Sequence, residues 1–235
     1  MPDSQLDTRA SVRIARANDL CHVLTYNPRY EKYLDCLIAH ECGHLLRLWS
    51  VPSSERLLPS VTAEQRRMVN RQLLSEMPTE ALLLPPDAVK ELLSLWHSGV
   101  VRQVVNYPVD IRIEEWLLRE YPGMSDLYTE TLREQLREDQ VVLAPEIGLF
   151  TPRCVYEASV IMNYAFARRV CEMLGGSSVG LPYPKRLARA ANELLAILDG
   201  EEDNHQGDIR IVNRWAQRLG IGNWYAWVRL DELQS

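Results

Sequence analysis

The sequence lacks the features that mark a membrane-spanning or exported protein. None of its 235 residues belongs to an apolar stretch near the length of about 20 residues that a membrane-spanning helix requires. The first ten residues, 1–10, are polar and contain no apolar core of a secretory signal. We therefore expect a cytoplasmic protein that does not enter a membrane.

The sequence also lacks paired cysteines and an excess of basic residues. Its five cysteines are an odd number, and no two of them form a C-x-x-C pair, which favours a reducing compartment. The net charge of -6 argues against a general nucleic-acid binder, because such proteins carry a basic excess. No internal repeat or low-complexity tract is present. The remaining class is an ordinary globular protein, long enough for one domain with a proper core.

What the sequence does contain is an H-E-x-x-H motif, His40-Glu41-Cys42-Gly43-His44, within an apolar helical pattern. Residues at i and i+4 share one helical face, so His40 and His44 can place two imidazoles on one metal ion. Glu41 follows the first histidine, where a carboxylate can deprotonate a water activated by the metal. The alternative is a surface helix with two histidines and an incidental glutamate. Unpaired imidazoles inside an apolar helix would be costly, which favours the metal site.

A second segment supplies acidic residues at helical spacing. Asn106, Asp110 and Glu114 fall at i, i+4 and i+8, on one face of a predicted helix whose other residues are largely apolar. Two buried carboxylates need a compensating cation, and a catalytic zinc needs a third protein ligand beside two histidines. The segment is therefore expected to provide that ligand. The alternative is an exposed acidic stripe that pairs with Arg112 or Arg119.

Two short strands are predicted directly before the motif helix, at 11–16 and 21–26, from alternating apolar and polar side chains. A strand in this position can pair with an extended substrate backbone, and a purely structural hairpin is the alternative. The later pattern is helical, with a loop at 51–61, helices capped by Thr62 and Asp87, and a new helix opened by Pro108. The C-terminal half is predicted to be helical, with an acidic loop that holds His205 and an aromatic tail.

These patterns predict an α+β fold that is predominantly helical. A small N-terminal β-sheet packs on the motif helix, and a helical C-terminal lobe follows. The chain is expected to be a single domain, 1–235, in which residues 11–121 form the core and residues 122–235 a helical extension.

The run Ile38-Ala39-His40-Glu41-x-Gly43-His44-Leu45-Leu46 resembles the zincin metallopeptidases. It is similar in particular to the small gluzincin-like proteins, including the intracellular regulatory peptidases of the ImmA/IrrE type. The resemblance covers residues 20–48 well and residues 106–117 loosely. It implies a zincin-like core in which His40 and His44 bind zinc, Glu41 is the general base and a later helix provides the third ligand.

The third ligand departs from the pattern of this family. The usual gluzincin ligand is a glutamate followed four residues later by an acid, whereas here Asp110 precedes Glu114. The order is closer to an asparagine-x3-aspartate arrangement of some bacterial metallopeptidase-like proteins. Asp110 is therefore the preferred ligand with Glu114 behind it, and the reverse assignment stays open. A faint ImmA/IrrE-like similarity at Glu157, Asn163 and Phe166 makes Glu157 a further alternative.

The expected activity is zinc-dependent peptide hydrolysis with one Zn2+ per chain and a protein or peptide as substrate. The oxyanion needs a second electrophile beside the metal. Candidates for this role, or for a supporting role behind the ligands, are Tyr107, Asn106, Tyr156, Tyr164 and His205. A cytoplasmic peptidase must be restrained, so narrow specificity or a regulatory protein partner is expected.

Two other classes of protein fit parts of the sequence. One is a catalytically inactive zincin-like domain that binds metal or a partner, although the intact Glu41 argues against it. The other is a DNA-associated helical protein in which Arg66, Arg67 and Arg71 form the contact patch and the motif is fortuitous. The acidic net charge argues against this second class.

Overall fold

Helices make up most of the chain in the computed structural model, which describes residues 1–6, 8–15, 21–139, 145–176 and 185–234. The helices are α1 (Leu34–Trp49), α2 (Ala63–Ser75), α3 (Thr79–Leu82), α4 (Pro86–Glu120), α5 (Ser125–Asp139), α6 (Pro145–Phe150), α7 (Arg153–Met173), α8 (Lys185–Asp199) and α9 (His205–Arg218). The strands are β1 (Ala10–Arg13), β2 (Val23–Tyr26), β3 (Leu57–Ser60) and β4 (Ala226–Arg229), and they form two small sheets, β1-β2 and β3-β4. The prediction of a predominantly helical chain with a small amount of sheet is confirmed. Among the described residues, no helix has the length and apolarity needed to cross a membrane.

The chain divides into two compact units. Unit 1 comprises residues 1–58, 112–135 and 228–235, and unit 2 comprises residues 59–111 and 136–227. Both units are therefore discontinuous in sequence. One boundary falls inside α4, directly after Ile111, so the last turns of this uninterrupted helix belong to unit 1.

Unit 1 begins with the predicted hairpin. Strands β1 and β2 pair antiparallel with Ala10 opposite Tyr26 and Arg13 opposite Val23, and both strands contact α1. Arg16, the predicted end of the first strand, lies outside the described residues. Asn27 caps a short 3-10 segment, Pro28–Tyr33, which leads directly into α1. The motif helix thus lies against a small sheet formed by the preceding residues.

The predicted loop at 51–61 needs a correction. Thr62 caps α2 as expected, in a capping box with Gln65, but Leu57–Ser60 form strand β3 within the expected loop. Its partner is β4, which lies in the expected aromatic tail. Pro59 obscured this strand, because proline cannot donate to a ladder and is tolerated only where its nitrogen faces away from the partner.

The two helices predicted between Asp87 and Trp116 are one helix of 35 residues, α4. Asp87 lies in its first turn and does not precede it, and Pro108 lies in its interior and does not begin a new helix. Proline costs a helix the hydrogen bond to the i-4 carbonyl. Here the flanking residues Val104 and Ile111 are both 0% exposed, so burial on either side of Pro108 stabilises the continuous helix.

Unit 2 has its core among α7, α8 and α9. Helix α7 contacts α8, α8 contacts α9, and the indole of Trp215 on α9 donates to the Leu194 carbonyl of α8 over 2.8 Å. The sequence predicts a last helix that begins at Ile209, but α9 begins four residues earlier, at His205. Asn204 caps it there by accepting from the Gly207 amide. His205 is consequently a buried helical residue and not part of an acidic loop. The glycine and proline residues of 175–184 predict a loop, and its residues 177–184 lie outside the described residues.

Candidate metal centre

Helix α1 approaches the end of α4 closely at Gly43. A Cβ atom at position 43 would lie 2.7 Å from Ile113 Cγ2, closer than side-chain carbon atoms normally approach. Glycine therefore permits this contact. The close approach brings the histidine-bearing face of α1 towards the acidic face of α4.

The two motif histidines direct the same ring nitrogen towards one another. His40 Nε2 and His44 Nε2 are 3.1 Å apart, and the ring centroids are separated by 4.9 Å. Two imidazoles on a tetrahedral zinc, each with a Zn–N distance of about 2.0–2.1 Å, place their nitrogens about 3.3 Å apart. The observed pair is thus already close to the spacing that a shared metal ion requires.

Glu114 determines which nitrogen of His40 is available. Glu114 is 3% exposed as a whole residue, and its carboxylate Oε1 atom lies 2.9 Å from His40 Nδ1. A carboxylate oxygen accepts hydrogen bonds, so Nδ1 carries a hydrogen, and Nε2, the nitrogen directed to His44, is the one that could bind a metal ion. Histidine ligands of metals commonly have such an outer carboxylate partner.

Asp110 completes the cluster. It lies one turn before Glu114 on α4 and is 9% exposed. One ligand atom from each of His40, His44 and Asp110 lies within 4.8 Å of the others, and this group could hold a metal ion. Its donor set is two imidazole nitrogens and one carboxylate oxygen. The burial of Asp110 and Glu114 contradicts the alternative of an exposed acidic stripe.

Comparison with known proteins finds no counterpart. No family model matches the chain, and neither the curated proteins nor the solved structures searched contain a match. Function must therefore be inferred from this geometry and from the motif.

Glu41, the predicted general base, lies on α1 between the two histidines and is half-buried. Behind the cluster, Cys36 is one turn before His40 on the same face of α1 and is 1% exposed. Burial raises the pKa of the Cys36 thiol, a hydrogen bond with Thr131 acts in the opposite direction, and the nearby Asp35 and Glu114 carboxylates raise it further. Neither Cys36 nor Thr131 was predicted to lie in this environment. The i, i+4 relation between Cys36 and His40 would have indicated Cys36, whereas no local pattern indicates Thr131.

The predicted supporting residues lie on α4 and α7. Asn106 is half-buried on α4, and the Tyr107 hydroxyl donates to Asn163 Oδ1 over 3.1 Å while its ring packs against Phe166. Tyr156 and Tyr164 are half-buried on α7. These contacts give Tyr107 a structural role within unit 2.

Glu157, the alternative third ligand, is held by arginines. Its Oε1 atom accepts from Arg153 Nε over 2.9 Å and also from Arg186. Burial by itself would raise the pKa of this carboxyl, but the two guanidinium groups outweigh it and lower the pKa below its ordinary value. Glu157 is not a member of the metal-binding group found among the described residues.

Proposed function

We propose that this protein is a zinc-dependent metallopeptidase with its centre at His40, His44 and Asp110. The observation that carries the proposal is the His40–His44 pair, whose Nε2 atoms are 3.1 Å apart while the buried Glu114 carboxylate holds His40 Nδ1. Two ring nitrogens turned towards one point, with a carboxylate behind one of them, fit zinc and its usual outer partner. The H-E-x-x-H motif adds a carboxylate directly beside this point.

The donor set is also suited to catalysis. Three protein ligands leave a tetrahedral site with one open position, which is the arrangement of catalytic zinc, whereas structural sites are closed by four. We assign His40, His44 and Asp110 as the ligands of one Zn2+ per chain. Glu114 is assigned to orient His40 and to keep its Nε2 atom deprotonated.

In this proposal the chain's own residues manage the proton. Zinc, when bound, supplies the Lewis acid that makes water nucleophilic near neutral pH. Glu41 accepts the proton of the attacking water and then delivers it to the leaving amine. Tyr107 donates its hydroxyl hydrogen to Asn163. We assign no residue to the oxyanion.

The proposed relationship is to the zincins. The described order of elements, a hairpin on the motif helix followed by a later helix that carries the acids, accords with the resemblance of residues 38–46 to that family. The cysteines are all free thiols, which suits a reducing compartment, and we place the activity in the cytoplasm. We also propose that narrow specificity or a regulatory protein partner restrains the peptidase activity.

The test compares zinc-loaded wild-type protein with Glu41→Gln on a library of peptides, with new N-termini identified by mass spectrometry. Wild type should cleave a restricted set of sequences, and Glu41→Gln should retain zinc while its cleavage falls by at least about 100-fold, the usual contribution of a general base. Equal cleavage by both proteins would contradict the proposal. If both proteins bind zinc and neither cleaves peptides, the protein would instead be a catalytically inactive metal-binding domain.

A further inference from the structure

Helix α1 presents an apolar face to solvent. Its exposed residues, which lie along one side of the helix, are Asp35, Ile38, Cys42, Leu46 and Trp49. Four of these five are apolar, and the most accessible leucine of the group is 59% exposed. The exposed side of a surface helix is normally polar, as it is on α2, where it includes Glu64, Arg66, Arg67 and Arg71. We call the five residues of α1 its exposed face, and a contiguous apolar face of this kind indicates an interaction surface.

The spacing of the exposed face is symmetric. Its residues are separated by three, four, four and three positions, so the pattern reads the same from either end and has Cys42 at its centre. Two copies of α1 that pack antiparallel about a two-fold axis at Cys42 therefore place Ile38 of each copy opposite Leu46 of the other. Asp35 of each copy then lies opposite Trp49 of the other. An interface on a two-fold axis must be self-complementary in this way.

The side chains near the axis suit a close crossing of two helices. Ile38, Cys42 and Leu46 form a row at i, i+4 and i+8, and rows of this type pack into the grooves of a neighbouring helix. The residue on the axis meets its own copy, and the small side chain of cysteine allows the two backbones to approach there. The larger isoleucine and leucine side chains then bury one another on both sides of the axis.

The ends of the exposed face are complementary in charge. Asp35 lies in the first turn of α1, and Trp49 is its last residue. The guanidinium group of Arg56 lies over the Trp49 ring, 4.8 Å from the ring centroid, and Arg56 Nε donates to the Val51 carbonyl over 3.2 Å. In the antiparallel pair this cation lies near Asp35 of the second copy, and the symmetry repeats the contact at the other end. A second copy of this chain thus matches both the apolar row and the charges that flank it.

Trp49 is held in position before any association. The imidazole of His22 contacts its ring edge-on, with the centroids 4.8 Å apart, while Arg56 covers the ring as described. Tryptophan is among the residues that contribute most to interfaces, and a side chain that is already ordered loses little entropy on binding. The exposed face therefore has an aromatic anchor at one end of each helix.

We propose that the protein forms a homodimer in which α1 of each copy packs antiparallel on α1 of the other through the exposed face, with Cys42 on the two-fold axis. The proposal concerns assembly and does not depend on peptidase activity. One pair of helices gives a small interface, so we expect a dissociation constant in the micromolar range.

Variants at the two facing positions test this arrangement. Leu46→Glu and Ile38→Lys each place an unpartnered charge against an apolar side chain at both symmetric contacts. Each variant alone should dimerise at least about 100-fold more weakly than wild type. In an equimolar mixture, one contact becomes a lysine–glutamate pair and the other remains isoleucine–leucine, so the mixed dimer should form at least about tenfold more tightly than the dimer of either variant. Only the antiparallel register that places position 38 against position 46 predicts this rescue.

Sedimentation equilibrium of full-length, metal-free protein, at concentrations from about 1 to about 200 µM, measures these affinities. One chain has a mass of 27.1 kDa, and the dimer has twice that mass. Leu149→Glu on α6 is the matched control, because Leu149 is 65% exposed and lies outside α1, and it should leave the dimer unchanged. Both substituted positions of α1 are exposed in the single chain, so the substitutions should change the association and not the fold.

Oxidation of the thiols locates the axis. Diamide, which removes the hydrogens of two thiols as a disulfide forms, should join two wild-type chains through their Cys42 residues. The crosslink should be absent in Cys42→Ser and unchanged in Cys21→Ser, which lacks the other exposed cysteine.

Wild-type protein that remains monomeric at about 200 µM would overturn the proposal. Equal weakening by Leu46→Glu and Leu149→Glu, or no gain in affinity when Leu46→Glu and Ile38→Lys are mixed, would overturn it as well. So would a crosslink in Cys42→Ser as strong as in wild type. Because every measurement uses metal-free protein, failure of the proposed peptidase activity would leave these results unaffected.

Discussion

Two glutamates on helices of this protein, Glu114 and Glu157, have opposite surroundings. Glu114 lies at the end of α4 in unit 1, its side chain is 4% exposed, and its partner is an imidazole, that of His40. Glu157 lies on α7 in unit 2, its side chain is 25% exposed, and its partners are the guanidinium groups of Arg153 and Arg186. Helical spacing made Glu114 a candidate for a role at the metal, and a faint similarity to a known family made Glu157 one.

The difference shows that the groups already bound to a carboxylate determine whether it is available to a metal ion. Two arginines neutralise Glu157, so binding a metal there would require breaking ion pairs that already satisfy it. The His40 imidazole, by contrast, engages a single oxygen of Glu114. With Asp110 a turn away, two buried carboxylates lie beside the two histidines, an arrangement that favours a cation there.

The most direct test of this comparison removes, in separate variants, a carboxylate beside the histidines and the carboxylate held by arginines. Asp110→Ala should lower zinc affinity by more than about 100-fold, because a direct ligand contributes more than the outer partners whose loss costs 10–100-fold. Glu157→Ala should leave zinc affinity unchanged, since its carboxylate is engaged by arginines. Competition with a chromogenic chelator measures both affinities. Loss of zinc from Glu157→Ala alone would reverse the assignment.

A smaller effect distinguishes the two acids of α4. Glu114→Gln keeps the shape of the side chain and can still accept from His40 Nδ1, but it removes the charge that makes the imidazole a stronger ligand. We expect zinc affinity to fall about 10- to 100-fold, less than in Asp110→Ala, by the same competition assay. A larger loss in Glu114→Gln than in Asp110→Ala would exchange the roles of the two residues.

The close contact beneath the site can be tested through stability. Gly43→Ala places a Cβ atom 2.7 Å from Ile113 Cγ2, and such overpacking should lower the free energy of unfolding by about 1–3 kcal/mol. Gly99→Ala is the matched control, because a Cβ atom there meets nothing within 4 Å and alanine favours the helix. Urea denaturation measures both variants. Equal stability of Gly43→Ala and Gly99→Ala would show that α1 and α4 do not approach as described.

The smallest effect concerns the pH dependence of Glu157. Because the arginines lower the pKa of its carboxyl in the folded state, its stabilisation is present above the unfolded pKa of about 4.3 and is lost as the pH falls through the folded value. Glu157→Gln should therefore lower the free energy of unfolding by up to about 1 kcal/mol at neutral pH and by less under acidic conditions. The same substitution in an Arg153→Gln, Arg186→Gln background should have no such pH dependence. If the pH dependence persisted in the variant that lacks both arginines, the ion pairs would be excluded as its cause.

Much of this arrangement follows from local patterns in the sequence. The i, i+4 spacings of His40 with His44 and of Asp110 with Glu114 require only a helix, and the described chain has helices at both places. The capping box at Thr62 and the hairpin before α1 are likewise local signals. These features were predictable because residues nearby in sequence determine them.

Other features depend on residues far apart in the chain. By local rules, Pro108 should end a helix and Pro59 should prevent a strand. The burial of Val104 and Ile111 stabilises the helix despite Pro108, and pairing with the distant strand β4 accommodates Pro59. The engagement of Glu157 by Arg186, 29 residues later, has no local signature either. The sequence could therefore nominate Glu157 as a ligand but could not show that arginines already hold it.

The central claim is that His40 and His44 hold one zinc ion, and metal content tests it most directly. Wild-type protein, His40→Ala, His44→Ala and the exposed-histidine control His22→Ala would be supplied with zinc, dialysed and measured by atomic emission. We predict one zinc per chain in wild type and His22→Ala, and none in His40→Ala or His44→Ala. Wild type without zinc, or His40→Ala and His44→Ala with as much zinc as wild type, would contradict the account.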